Sequence, residues 1–101
     1  MITNIINIKD CPKGWRNSLE YEYIGRGSIF GNPFMLGRDG DRFTVIEKCQ
    51  IWFDSIIKDR RFRREVAKLE GKILVCHCKP KPCHGDIYVK WLENKNTDQE
   101  K

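Results

Sequence analysis

The pattern of apolar and polar positions divides the chain into six elements. Residues 2–8, ITNIINI, are rich in isoleucine and end at Lys9-Asp10, which predicts a first strand. Cys11-Pro12-Lys13-Gly14 breaks it. In LEYEYIG, residues 19–25, Leu19, Tyr21 and Tyr23 fall on one face and Glu20 and Glu22 on the other. That alternation predicts a strand with one wet side. A loop follows, GRGSIFGNPF, with three glycines and a proline in ten residues, and a second turn, GRDGD, closes at residue 41. Val45, Ile46, Cys49, Trp52, Phe53, Ile56 and Ile57 recur at helical spacing and predict a helix over 43–57, with Trp52 in the core. Thr44 and Glu47 read as its capping box. Phe62, Val66 and Leu69 predict a shorter helix that Gly71 ends. KILVC, 72–76, is a short buried strand. Pro80 and Pro82 stiffen the turn after it, and a last helix starts near His84 or Gly85 with Ile87, Trp91 and Leu92 on one face.

The order strand, strand, helix, helix, strand, helix predicts an α/β fold, a small single-domain Rossmann-like sheet of about three to four strands with flanking helices. Residues 1–94 make one domain, and 95–101 form a frayed polar tail. With 101 residues, 40% of them hydrophobic, the chain has one modest core. It has no apolar run of about 18 residues and no signal-peptide pattern, so no membrane partner and a cytoplasmic location are expected. Five cysteines, an odd number crowded toward one end, read as reduced thiols rather than a disulfide framework. A net charge of +5 suits an anionic partner. Much of the excess lies in KDRRFRREVAKLEGK, 58–72, which reads either as a solvated helix face or as a nucleic-acid patch.

Two loops can carry chemistry. In the first, Gly25, Gly27 and Gly31 let backbone approach a ligand, and Arg26 can grip a phosphate or carboxylate with a two-pronged hydrogen bond. Ser28 and Asn32 can bond sugar or base atoms, and Phe30 or Phe34 can stack on a base. The second, LVCHCKPKPCHGD, runs from a strand through two prolines to a helix N-terminus at Cys83, His84, Gly85 and Asp86, where free N–H groups attract anions. Asp86 suits helix capping there as well as ligand contact. Zinc is a rival occupant, with Cys76, Cys78, Cys83 and His84 as ligands, although the C-x-C-x4-C-H spacing differs from the two separated pairs of most structural zinc sites. A nucleophilic Cys83 with His77 as base is a third reading.

The pairing of YIGRGSIFGNPF with CHCKPKPCHGDIYVKWL resembles the domain-of-unknown-function family numbered 4326, small proteins of phages and bacteria. The matching positions are Gly25, Arg26, Gly27, Gly31, Asn32, Pro33, Phe34, Cys76, Cys78, Pro80, Cys83, His84, Gly85 and Asp86. The resemblance implies that both motifs line one site and that the protein is phage-encoded; it implies no catalytic role. Together with the two loops it leads to the expectation of a module that binds a nucleotide or ADP-ribose-like molecule, without a cofactor, and that sequesters a host nucleotide immune signal. The alternatives are an enzyme acting on a nucleotide or nucleoside, and a zinc-stapled nucleic-acid-binding domain. A homo-oligomer is compatible with either.

Overall fold

The computed structural model describes residues 3–79, 81 and 83–99. Pro80 and Pro82, read as stiffeners of the second loop, lie outside the described residues. Three strands, β1 (Asn4–Asn7), β2 (Tyr21–Tyr23) and β3 (Ile73–Cys76), form one sheet in the order β1-β3-β2. Both pairings are parallel, with Asn7 opposite Cys76 and Tyr23 opposite Val75. The apolar run ILVC occupies the centre, where Leu74, Val75 and Cys76 are all fully buried, as a strand covered on both faces requires. Because every pair is parallel, the loops after β2 and β3 leave from the same edge of the sheet.

Two helices cross between β2 and β3: α1 (Arg42–Ile56) and α2 (Arg60–Ala67). A third, α3 (Gly85–Gln99), follows β3 and runs into the stretch expected to be a tail. The α1 cap is Asp41, whose carboxylate accepts the Thr44 amide at 2.8 Å. The capping box expected at Thr44 is therefore displaced by one turn, because a carboxylate three residues earlier already satisfies the amide. Asp59 caps α2 by accepting the amides of Arg61 and Phe62. Gly71, at φ +80°, lies in the turn beyond α2 and donates its amide to Thr3 Oγ1.

The core is an aromatic cluster between the helices and the sheet. Phe53 meets Tyr88 edge-on at 5.0 Å and also faces Phe62 and Trp91. Two sequence expectations change here. Trp52 is only half-buried, with its edge on Phe62, and its neighbour Phe53 takes the core position. Leu19 is 88% exposed, because β2 begins only at Tyr21 and Leu19 falls in the turn before it. Among the described residues, no helix is long and apolar enough to cross a membrane.

Candidate functional site

At the edge where β2 and β3 end lies a cleft of about 190 Å³. Gly25, Arg26, Asn32, Phe34 and Leu36 of the glycine loop form one wall. His77, Cys78 and His84 of the second loop form another. The first turns of α1 supply Arg42, Val45 and Ile46. The structure thus brings parts of both loops to one cavity, with a third wall that sequence spacing did not reveal.

Hydrogen bonds hold the walls in register. The chain enters the glycine loop through Ile24, whose carbonyl accepts His84 Nε2–H at 2.7 Å. Both residues are buried, so this bond is shielded from water. Burial lowers the pKa of His84 below its ordinary 6.5, and the neutral ring donates through Nε2. From β1, Asn7 Nδ2 donates to the carbonyl of Lys79 at 2.7 Å and so clamps the second loop from below. On the cleft side, Tyr23 Oη donates to the Arg26 carbonyl at 3.1 Å and lies 3.2 Å from His77 Nε2. With its proton committed to the carbonyl, the tyrosine oxygen is left to accept from His77 Nε2.

Several predicted contacts turn out to be internal. Phe30, expected to stack on a base, is buried against Phe62 and Tyr88, and its carbonyl accepts the Tyr88 hydroxyl at 3.1 Å. The loop is anchored through that ring, and Phe34 is the aromatic left at the cleft. Asn32 spends its amide on the loop itself. Its Nδ2 donates to the Val45 carbonyl and its Oδ1 accepts the Phe34 amide, an Asx turn tied to α1. Ser28 Oγ bonds the Gly25 carbonyl. Gly27 supplies a left-handed turn at φ +94°. A Cβ on Gly31 would stand 2.8 Å from the Gly25 carbonyl oxygen, so that glycine serves close backbone packing.

The N-terminus of α3 is likewise self-satisfied, which corrects its reading as an open anion site. Cys83 Sγ accepts the Gly85 amide at 3.3 Å, and Asp86 Oδ2 accepts the Cys83 amide at 3.4 Å. This is a capping box with cysteine in the place of serine. The other Asp86 oxygen pairs with Lys79 Nζ at 2.9 Å. Gly85 is packed too closely for a side chain, since a Cβ would lie 2.8 Å from Ile24 Cδ1.

The thiols separate into two groups. Cys76 and Cys83 are buried and share a hydrogen bond. That bond, with the amides of Lys79 and Cys78, holds the Cys76 pKa well below the ordinary thiol range, while Cys83 keeps its proton. A buried thiol with a raised pKa is a poor nucleophile, so the structure argues against Cys83 in that role. Cys78 is half-buried and reaches the cleft. Of the proposed zinc set, Cys83 and His84 are neighbours, with His84 Nδ1 3.7 Å from Cys83 Sγ and Nε2 on the Ile24 carbonyl. Among the described residues no group of three or more His, Cys, Asp or Glu is arranged to hold a metal ion.

A family model described as a domain of unknown function (DUF4326) matches residues 6–94. The chain belongs to this family. An uncharacterized 12.4 kDa protein in the nrdA-td intergenic region of Enterobacteria phage T4 is 42% identical to it over 66 residues. That alignment covers 63% of this chain and 59% of the phage protein. No solved structure matches. In this DUF4326 chain the two motifs divide their labour: Gly31, Cys83, Gly85 and Asp86 build the loops, Arg26, Phe34, Cys78 and His84 face the cleft, and Asn32 does both. Iodoacetamide applied to the native chain is expected to alkylate Cys78 and Cys11, which are half-buried, and to spare Cys49, Cys76 and Cys83 until the protein is unfolded. Peptide mass spectrometry reads the difference, and early labelling of Cys83 would show that the second loop is open.

Proposed function

We propose that the cleft binds a small phosphorylated ligand of the nucleotide type. The observation that carries this reading is the convergence of two arginines, Arg26 and Arg42, with an aromatic ring, Phe34, and an imidazole, His77, in one cavity at the carboxyl edge of a parallel sheet. Open α/β sheets bind their ligands at that edge, and a Rossmann-like relationship would explain its use here. Arginine supplies a charge-assisted fork for phosphate, and Phe34, Leu36, Val45 and Ile46 offer an apolar bed for a base or the face of a sugar.

Size narrows the ligand. Pockets that enclose a whole drug-sized molecule hold about 300–1,000 Å³. A cleft of about 190 Å³ encloses one moiety, which favours a mononucleotide or sugar phosphate over an entire ADP-ribose. A small protein that binds such a ligand without converting it would act by sequestration, holding a host nucleotide signal away from its receptor.

Arg26 is exposed, and among the described residues its guanidinium has no acceptor, so its loss should leave the fold intact. A charge-assisted hydrogen bond is worth about 1.5–3 kcal/mol, so Arg26→Ala is expected to weaken binding by about one to two orders of magnitude. Calorimetry would use whichever nucleotide raises the melting temperature of the parent. An unchanged Kd with an unchanged Tm would remove the cleft from consideration.

A second reading is turnover, and the Tyr23–His77 pair favours it: the tyrosine holds one imidazole nitrogen and leaves the other as a base. Chromatography of a nucleotide panel incubated with the protein decides between the two. Product that disappears with His77→Ala supports an enzyme, and intact nucleotides support a binder.

A further inference from the structure

We propose that the outward face of α2 binds the phosphate backbone of nucleic acid, at a surface separate from the cleft. Residues 58–68 hold six basic and two acidic side chains, so they account for four of the chain's five net positive charges. Both acids are already engaged. Asp59 caps α2 through the amides of Arg61 and Phe62, and Glu65 pairs with Lys68 at 2.6 Å. Arg63 turns back to the carbonyls of Ile57 and Lys58, at the end of α1. Lys58, Arg60, Arg61 and Arg64 are exposed and have no acceptor among the described residues.

Much of this arrangement works against the helix. Arg60 and Arg61 occupy the first turn, where the helix dipole disfavours cations, and no acidic residue within that turn offsets them. Arg60 and Arg64 are like charges four residues apart, and Arg61 and Arg64 three apart, both repulsive spacings. A sequence shaped only for folding would place acids here, so the cations point to an anion outside the chain.

The surface chemistry identifies the class of that anion. The large apolar residues of α2 and the turn after it, Phe62, Val66 and Leu69, are buried in the core, and the partly exposed Ala67 offers only a methyl group. The outward face therefore has no side chain to insert into a bilayer and no apolar centre for a protein interface. What remains is a row of guanidinium groups. Arg60 and Arg64 stand about one turn, about 6 Å, apart along the axis, so their side chains can reach separate phosphates of a strand that carries one charge per about 3.4 Å. α2 lines no part of the cleft, so the two ligands would not compete for one site.

The test is fluorescence anisotropy of the full chain with a labelled duplex of about 20 base pairs, between about 50 and 200 mM salt. Three or four neutralised phosphates predict a slope of about −3 in log K against log salt. The triple variant Arg60→Gln/Arg61→Gln/Arg64→Gln should flatten that slope and weaken binding at least about tenfold at the lowest salt. Its Tm should stay the same or rise, since repulsion is relieved, which separates loss of binding from loss of fold. Arg26→Ala should bind the duplex like the parent. The proposal is overturned if the parent fails to bind duplex at low salt, if the triple variant keeps the parent's slope, or if Arg26→Ala is the change that abolishes binding. Binding to phosphatidylserine vesicles without duplex binding would overturn it as well, by assigning the patch to a membrane surface.

Discussion

Phe53→Ala is expected to cost about 3–5 kcal/mol, the range for truncating a buried aromatic ring and leaving a cavity. The residue is 2% exposed and packs on Tyr88, Phe62 and Trp91. These three rings come from α2 and α3, so the phenyl group is where the helices meet, and no single neighbour can move to fill its place. A domain of this size has about 5–15 kcal/mol in total, so the variant should be marginal or unfolded at physiological temperature. Trp52→Ala should cost clearly less, because that ring is only partly buried at the margin of the core. Urea unfolding of the two variants, followed by far-ultraviolet circular dichroism, ranks them. A larger loss in Trp52→Ala would mean that α1 presents Trp52, not Phe53, to the core. Phe53→Leu keeps most of the volume and should recover much of the stability, which guards against a variant that simply fails to express.

That contrast also shows what could be read from the sequence. The apolar stripe located α1 to within one residue at each end, and the run ILVC gave the central strand, because both patterns arise from local geometry repeated over several residues. Trp52 and Phe53 are adjacent in the same stripe, and a helical turn cannot tell which of two neighbours points deeper; packing against Tyr88 decides it. Tyr88 itself escaped notice because Ile87 beside it carried the expected periodicity. Phe30 sat in a glycine-rich loop and so suggested a ligand contact, although loops of this length need an anchor in the core and Phe30 provides it. In the site, Arg26 of one motif and His84 of the other line the same cleft. The α1 wall, the Asn7 clamp and the Tyr23–His77 bond join residues far apart in sequence, and no spacing rule reaches them.

His84 joins the two motifs, and its replacement should uncouple them. Removing the imidazole leaves the Ile24 carbonyl buried without a donor, a loss of about 1–3 kcal/mol, with a further penalty for the vacated space. His84→Ala should therefore lower stability by about 2–4 kcal/mol and weaken cleft binding as the glycine loop loosens. His84→Gln can still donate to Ile24 and should recover part of both. The same residue gives the protein an acid limb. In the folded state burial holds the His84 pKa below 6.5, whereas the unfolded chain protonates near 6.5. Between those two values the unfolded state binds a proton that the native state does not, so stability falls as pH drops through this window, by up to about 1.4 kcal/mol per pH unit. Cys76 contributes with the same sign. Its native pKa lies below the ordinary 9.0, so its share is complete above pH 9 and is lost as pH falls toward the lowered value. Asp39 and Asp41 are also lowered, by hydrogen bonds from Arg38 and Thr44, but their share is lost only below about the ordinary 3.8. The wild type should thus weaken gradually from pH 9 and more steeply below 6.5. In His84→Gln the gradual loss should remain and the steeper limb should disappear. Urea midpoints measured at half-unit steps of pH resolve the two. An acid limb of undiminished slope in His84→Gln would show that another group titrates there and that the Ile24–His84 bond does not control it.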